Sequence, residues 1–144
     1  MFLLFSFSSI ASTVLTEQAM IDAANTVNKA TKLKNFKEAV QFYRPETVFF
    51  QYQNENGEKI KTSQTFKQAR KHLKVMFKFK QMKLKISKLL SQETKLHEDG
   101  EGTLLTKYKR VYEYKGEKTE ATETYIRLFK IQKNELIISE EHML

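Results

Sequence analysis

Residues 103–143 read TLLTKYKRVYEYKGEKTEATETYIRLFKIQKNELIISEEHM, and this stretch decides the fold. Along it apolar and polar side chains alternate with period two, the pattern of strands that show one face to a core and the other to solvent. Lys115-Gly116 and Lys133-Asn134 interrupt the alternation. Each places a glycine or asparagine where a two-residue primed turn needs positive φ, so the stretch reads as two tight hairpins. The predicted strands are Thr103 to Tyr114, Glu117 to Ile131 and Leu136 to Met143, with Tyr114 facing Glu117 and Gln132 facing Glu135.

Upstream, Met82 to Leu90 continues the period-two pattern as a further strand, and before it the period changes to 3.6. Between Thr16 and Leu33, Met20, Ala23, Ala24, Val27, Ala30 and Thr31 form one stripe, with Thr16 as cap and Glu17 complementing the helix dipole. Asn35 to Tyr43 carries Phe36, Ala39, Val40 and Tyr43 on one side, opens with a capping box at Asn35 and Glu38, and ends at Arg44-Pro45. Thr47 to Gln53 has strand composition, and Asn54 to Gly57 turns the chain into a short strand around Ile60. A third helix is predicted from about Ser63 to Phe79, burying Phe66, Ala69, Leu73, Met76 and Phe77.

This order of helix, short helix ending in proline, strand pair, helix and long meander resembles the nuclear transport factor 2-like superfamily, which includes SnoaL-like and ketosteroid-isomerase-like members. Phe42 to Phe50 looks like that family's entry from helix into strand, and the closing strand to Glu141-His142 matches its last strand. The resemblance implies an α+β fold, a curved antiparallel sheet wrapped around three helices of the N-terminal half to leave a cone-shaped pocket. It also implies dimers that pack sheet against sheet. A ketosteroid isomerase would need a carboxylate base near the strand after the second helix, where Tyr52 and Gln53 stand instead, so that chemistry is disfavoured.

Given the predicted registers, one face of the meander carries Tyr108, Arg110, Tyr112, Glu123, Arg127 and Glu140 together with Tyr125 and His142. Tyr108 would face Glu123, Arg127 would face Glu140, and Tyr125 would face His142. An aromatic lining with a few placed polar groups suits a small organic ligand. His142 and Tyr125 are the candidates for proton transfer, because histidine titrates nearest neutral pH. The competing reading makes Arg127 and Glu140 a structural ion pair among ordinary core tyrosines. The other face carries Leu105, Val111, Ile126, Leu128 and Ile137 among Lys107, Lys109 and Thr122, too apolar for free exposure, so a homodimer through it is expected.

Composition narrows the classes further. At 144 residues the chain makes one domain, here 12–144. Without cysteine it has neither disulfide nor thiolate chemistry, and the spacing of His72, His97 and His142 suits neither a triad nor a metal site, so no metal and no cofactor is expected. Residues 1–11 are apolar or small and read as a signal peptide, with export and a mature start near Ser12 as the expectation, and no transmembrane segment in the mature chain. The net charge of +8 arises in one place. Eleven basic residues and no acid lie between Lys59 and Gln92, while the other 14 basic residues are outnumbered by 17 acidic ones. The neighbouring phenylalanines belong to the buried stripe, so platforms for stacking bases are absent and nucleic acid is not the expected partner. Three functions stay open: a pocket for a small molecule with acid–base chemistry as an option, a protein-interaction domain without catalysis, and binding of anionic polymer or lipid through residues 59–92.

Overall fold

The computed structural model describes residues 14–144. The leader and the mature start near Ser12 lie outside the described residues. Three helices, α1 (Glu17–Lys32), α2 (Phe36–Ala39) and α3 (Phe66–Lys78), accompany six strands, β1 (Tyr43–Glu55), β2 (Glu58–Thr65), β3 (Met82–Leu96), β4 (Gly102–Tyr114), β5 (Glu117–Gln132) and β6 (Glu135–Met143). The strands form one curved sheet in the order β2-β1-β6-β5-β4-β3. Every pairing is antiparallel except β1 with β6, so the sheet is mixed.

Helix α1 begins where Thr16 accepts the Ala19 amide at 3.1 Å, and its Met20, Ala23, Ala24, Val27 and Ala30 are buried. It stops in a Schellman arrangement: Lys34 adopts φ 56° and donates to the Thr31 carbonyl, and Asn35 donates to the Ala30 carbonyl at 2.8 Å. A lysine thus stands where glycine is usual. The predicted second helix is corrected to a single turn. Ile138 already donates to the Phe42 carbonyl and Tyr43 pairs with Ile138, so the sheet claims the residues that helical periodicity had assigned to α2. Helix α3 carries a complete capping box at Thr65 and Gln68, yet of its apolar stripe only Ala69 is buried. Phe66 packs against the core beside Tyr43 and Phe49, while Leu73, Met76 and Phe77 border an open space.

Asn56-Gly57, Lys115-Gly116 and Lys133-Asn134 all have both residues at positive φ, as type I′ turns require. The β4–β5 register is therefore the predicted one, with Tyr114 opposite Glu117 and Tyr108 opposite Glu123. In β5–β6 the pairing starts as predicted at Gln132 and Glu135, then slips: Phe129 pairs with Ile138 but Leu128 with Glu140. Ser139 is the extra residue of a β-bulge. Across from it β1 is also irregular, because Tyr43 pairs with Ile138 and the next pairing is Val48 with Glu140. Pro45 has no amide to offer there, and Thr47 fills the gap by accepting from the Arg44 amide and donating to the Ile138 carbonyl at 2.6 Å.

The core forms at one end of the concave face, where Leu15, Met20, Ala23 and Ala24 pack on Tyr43, Leu104, Phe129 and Ile138. Gly102 lets α1 approach closely: a Cβ there would stand 2.7 Å from the Met20 sulfur. At the other end the concave face turns polar, and there the helices leave a space.

Candidate functional site

That space is a cavity of about 540 Å³ between α3, the end of α1 and the sheet. One side is apolar, with Val27, Phe49, Leu73, Met76, Phe77 and Leu84, and the sheet side presents Arg110, Tyr112, Glu123, Tyr125, Arg127 and Glu141. Strand alternation puts the polar group on one face, and the chain spends two buried arginines there.

The polar wall consists of two ion-pair clusters. In the first, Arg110 Nη1 meets Glu123 Oε2 at 3.2 Å and the Tyr125 hydroxyl at 3.0 Å, while its Nη2 reaches Asn28 of α1 and its Nε reaches Ser87. Tyr125 donates to Glu123 Oε2 at 2.5 Å, and Tyr112 donates to Oε1. Each nitrogen of that guanidinium has a partner. In the second cluster Glu141 Oε1 accepts from Arg127 Nε and from the Tyr43 hydroxyl, each at 2.6 Å. Arg127 Nη1, by contrast, is buried with no hydrogen-bond partner among the described residues.

Burial sets the ionisation of this wall. Burial raises the Tyr125 phenol far above its ordinary range, against the pull of the Arg110 charge, and Glu123 pushes it further in the same direction. Burial and then Glu141 likewise hold the Tyr43 phenol up, and Tyr112 is pushed up to about 12 by burial and by its bond to Glu123. Burial works against the charges of Arg110 and Arg127; the neighbouring Tyr125 and Glu123 outweigh it at Arg110, and Glu141 outweighs it at Arg127. Tyr125 is accordingly a neutral hydrogen-bond donor, unsuited to losing a proton near neutral pH.

Of the residues expected in the pocket, Arg110, Tyr112, Glu123, Tyr125 and Arg127 line the cavity. Tyr108 lies on the same face but beneath it, fully buried, with its ring 6.3 Å from that of Tyr125 and its hydroxyl without a partner among the described residues. Glu140 and His142 are corrected to the opposite face. The bulge at Ser139 sets Arg127 opposite Glu141 and Tyr125 opposite Met143, so the expected pairs Arg127 with Glu140 and Tyr125 with His142 do not form. His142 instead stacks on Phe50 at 4.6 Å, contacts the Tyr52 hydroxyl through Nδ1 at 3.0 Å and Glu140 through Nε2 at 3.0 Å. The two candidates for proton transfer thus stand on opposite sides of the sheet. Glu141, Tyr43 and the α3 residues Leu73, Met76 and Phe77 were missed as cavity residues. The doublet Glu140-Glu141 was the available signal, since one of two adjacent carboxylates must face inward.

No protein family model matches the chain, and no curated protein does. Solved structures do. An NTF2-like protein from Cytophaga hutchinsonii superposes with a TM-score of 0.66 at 11% identity, covering 90% of this chain and 98% of its own. The chain has the NTF2-like fold. The beta subunit of benzoate 1,2-dioxygenase from Burkholderia mallei shares that fold with this chain at a TM-score of 0.73 and 6% identity, over 91% of both chains. A calcium/calmodulin dependent protein kinase II association domain from Xanthomonas campestris does so at 0.64 and 17% identity, over 90% of this chain and 87% of that one. At these identities the likeness is one of NTF2-like architecture, and the side chains of the cavity are this chain's own.

Proposed function

We propose that the protein binds a small, mostly apolar organic molecule whose one polar end, a carbonyl or carboxylate oxygen, accepts from Arg127. The observation that carries this reading is Nη1 of Arg127, buried at the cavity wall with no hydrogen-bond partner among the described residues. A buried donor without a partner costs about 1–3 kcal/mol, and a ligand oxygen recovers that cost. The cavity is large enough for the task, since sites for small molecules run from roughly 300 to 1,000 Å³.

Turnover is the second reading, favoured by one observation. Both hydrogen bonds to Glu141 end on Oε1, and Oε2 makes none among the described residues. A carboxylate next to a cation that polarises a carbonyl is the pair needed to remove an adjacent proton. The test is a panel of aromatic and aliphatic carboxylic acids and ketones, read by native mass spectrometry and thermal shift. We expect a retained adduct and a raised melting temperature for at least one class, lost in the Arg127→Leu/Glu141→Leu double variant. A panel with no adduct and no shift overturns the binding reading, and a Glu141→Gln variant that binds and turns over unchanged overturns the catalytic one.

We also propose a homodimer through the convex face. An association domain and an enzyme subunit among the structural neighbours are by name parts of assemblies. Leu105, Val111, Ile126 and Leu128 are half-buried on that face, whereas Ile137 is 1% exposed, already covered within the chain and unavailable as a contact. Sedimentation at tens of micromolar, on the order of a weak contact, should give a dimer that Ile126→Glu converts to monomer. A parent protein that sediments as a monomer defeats the proposal.

A further inference from the structure

Beside the cavity mouth, the ends of α1 and α3 and the start of β3 enclose a second, shallow trough of about 620 Å³. Its lining includes Lys32, Lys34, Lys80, Lys83 and Lys85 with Leu33, and no acid. Lys34 and Leu84 line both spaces, so the trough and the cavity share a rim. Lys34 is held by the Phe79 carbonyl at 2.5 Å, while Lys32, Lys80, Lys83 and Lys85 make no ion pair among the described residues. Glu113, the ladder partner of Lys83, does not close on it. Large apolar side chains crowd the same rim: Leu33 is 67% exposed, Met76 55% and Phe79 39%.

Clustered lysines and exposed apolar side chains make opposite demands on a partner, one for anions and one for hydrocarbon. The headgroup layer of an anionic bilayer meets both within a few ångströms. We propose that this rim docks on an anionic lipid surface, with the lysines on lipid phosphates and Leu33, Met76 and Phe79 entering the layer below. A nucleic acid would supply phosphates but leave Leu33 and Met76 without a use, because neither side chain offers a ring for stacking. The Phe79 ring is itself stacked on Tyr114, with centroids 5.8 Å apart and planes 20° apart. The proposal does not depend on what the cavity holds.

The test is co-sedimentation of the full chain with vesicles of phosphatidylcholine alone and with vesicles containing phosphatidylglycerol. We expect retention by the anionic vesicles only, weakening as salt is raised. Lys32→Gln/Lys80→Gln/Lys83→Gln should lower the affinity on the order of a hundredfold, at about fivefold per lysine. Leu33→Ser/Phe79→Ser should lower it several-fold at unchanged charge. All these side chains are at the surface, and unchanged melting temperatures would show that the variants fold. The Arg127→Leu/Glu141→Leu variant should bind vesicles like the parent, which separates this surface from the pocket. Equal binding to both vesicle types, no binding to either, or a triple-lysine variant that binds like the parent overturns the proposal. So does an unaffected Leu33/Phe79 variant, or capture of single-stranded RNA at a salt concentration where the vesicles are not held.

Discussion

Replacing Arg127 by leucine should destabilise the protein by about 3–5 kcal/mol, because the change strands a buried carboxylate without its cation. The side chains of Arg127 and Glu141 are 5% and 12% exposed and meet at 2.6 Å, so solvent cannot take over the lost contact. In a domain of this size that loss lowers the melting temperature by roughly 10 °C or more. The double replacement Arg127→Leu/Glu141→Leu should recover most of the stability, since a buried ion pair exchanged for apolar side chains is often neutral or better. Thermal or urea unfolding of the two singles and the double gives the coupling directly. Additive single losses would refute the pairing. His142→Ala is the contrast: on the other face, half-buried and joined to Tyr52 and Glu140, it should leave pocket binding intact.

Alkaline unfolding should be steep and should begin above pH 10. Tyr43, Tyr112 and Tyr125 all hold their protons more tightly in the folded chain, where burial raises each phenol, than in the unfolded chain, where tyrosine titrates near pH 10. Between those limits the unfolded state has released protons that the folded state keeps, so stability falls as pH rises. The contribution is complete below pH 10. For Tyr112 it is spent by about pH 12, and for the other two the loss continues upward. Each deeply buried phenol removes about 1.4 kcal/mol per pH unit over that window, so Tyr43 and Tyr125 together remove roughly 3 kcal/mol per unit. Ellipticity and tyrosinate absorbance followed together should show the absorbance completing in the same step in which structure is lost. Full ionisation of all three phenols at pH 10 with the fold intact would contradict the buried network.

What could be read from the sequence divides at Ser139. The caps at Thr16 and Asn35 rest on local hydrogen bonds, and the type I′ turns rest on the φ of one or two residues, so each carries its signal in adjacent letters. The β4–β5 register followed from its turn because nothing irregular intervenes before Gly102, and with it came Arg110, Tyr112, Glu123, Tyr125 and Arg127 as one group. The β5–β6 register failed past Ser139, at a bulge that faces an irregularity in another strand. The irregularity of β1 around Pro45 and the Thr47 bond to the Ile138 carbonyl are more than 90 residues away from the bulge they face. The length of α2 was overstated for a similar reason, since Tyr43 joins a strand whose partner comes last in the chain. Arg127 lines the cavity, and its burial beside Glu141 makes it part of the stability of the fold as well.

The bulge at Ser139 also bears on how such a pocket can change through descent. Beyond it, Glu141 and Met143 point into the cavity and Glu140 and His142 point away, in a run of four consecutive residues. If the irregularity migrated along β6 to its last residue, the two pairs would trade places. A carboxylate and a thioether would give way to a carboxylate and an imidazole with no substitution at any position. A lineage could thus acquire a titratable base in the cavity through a shift of phase alone, and residue-by-residue alignment of its members would show no difference there.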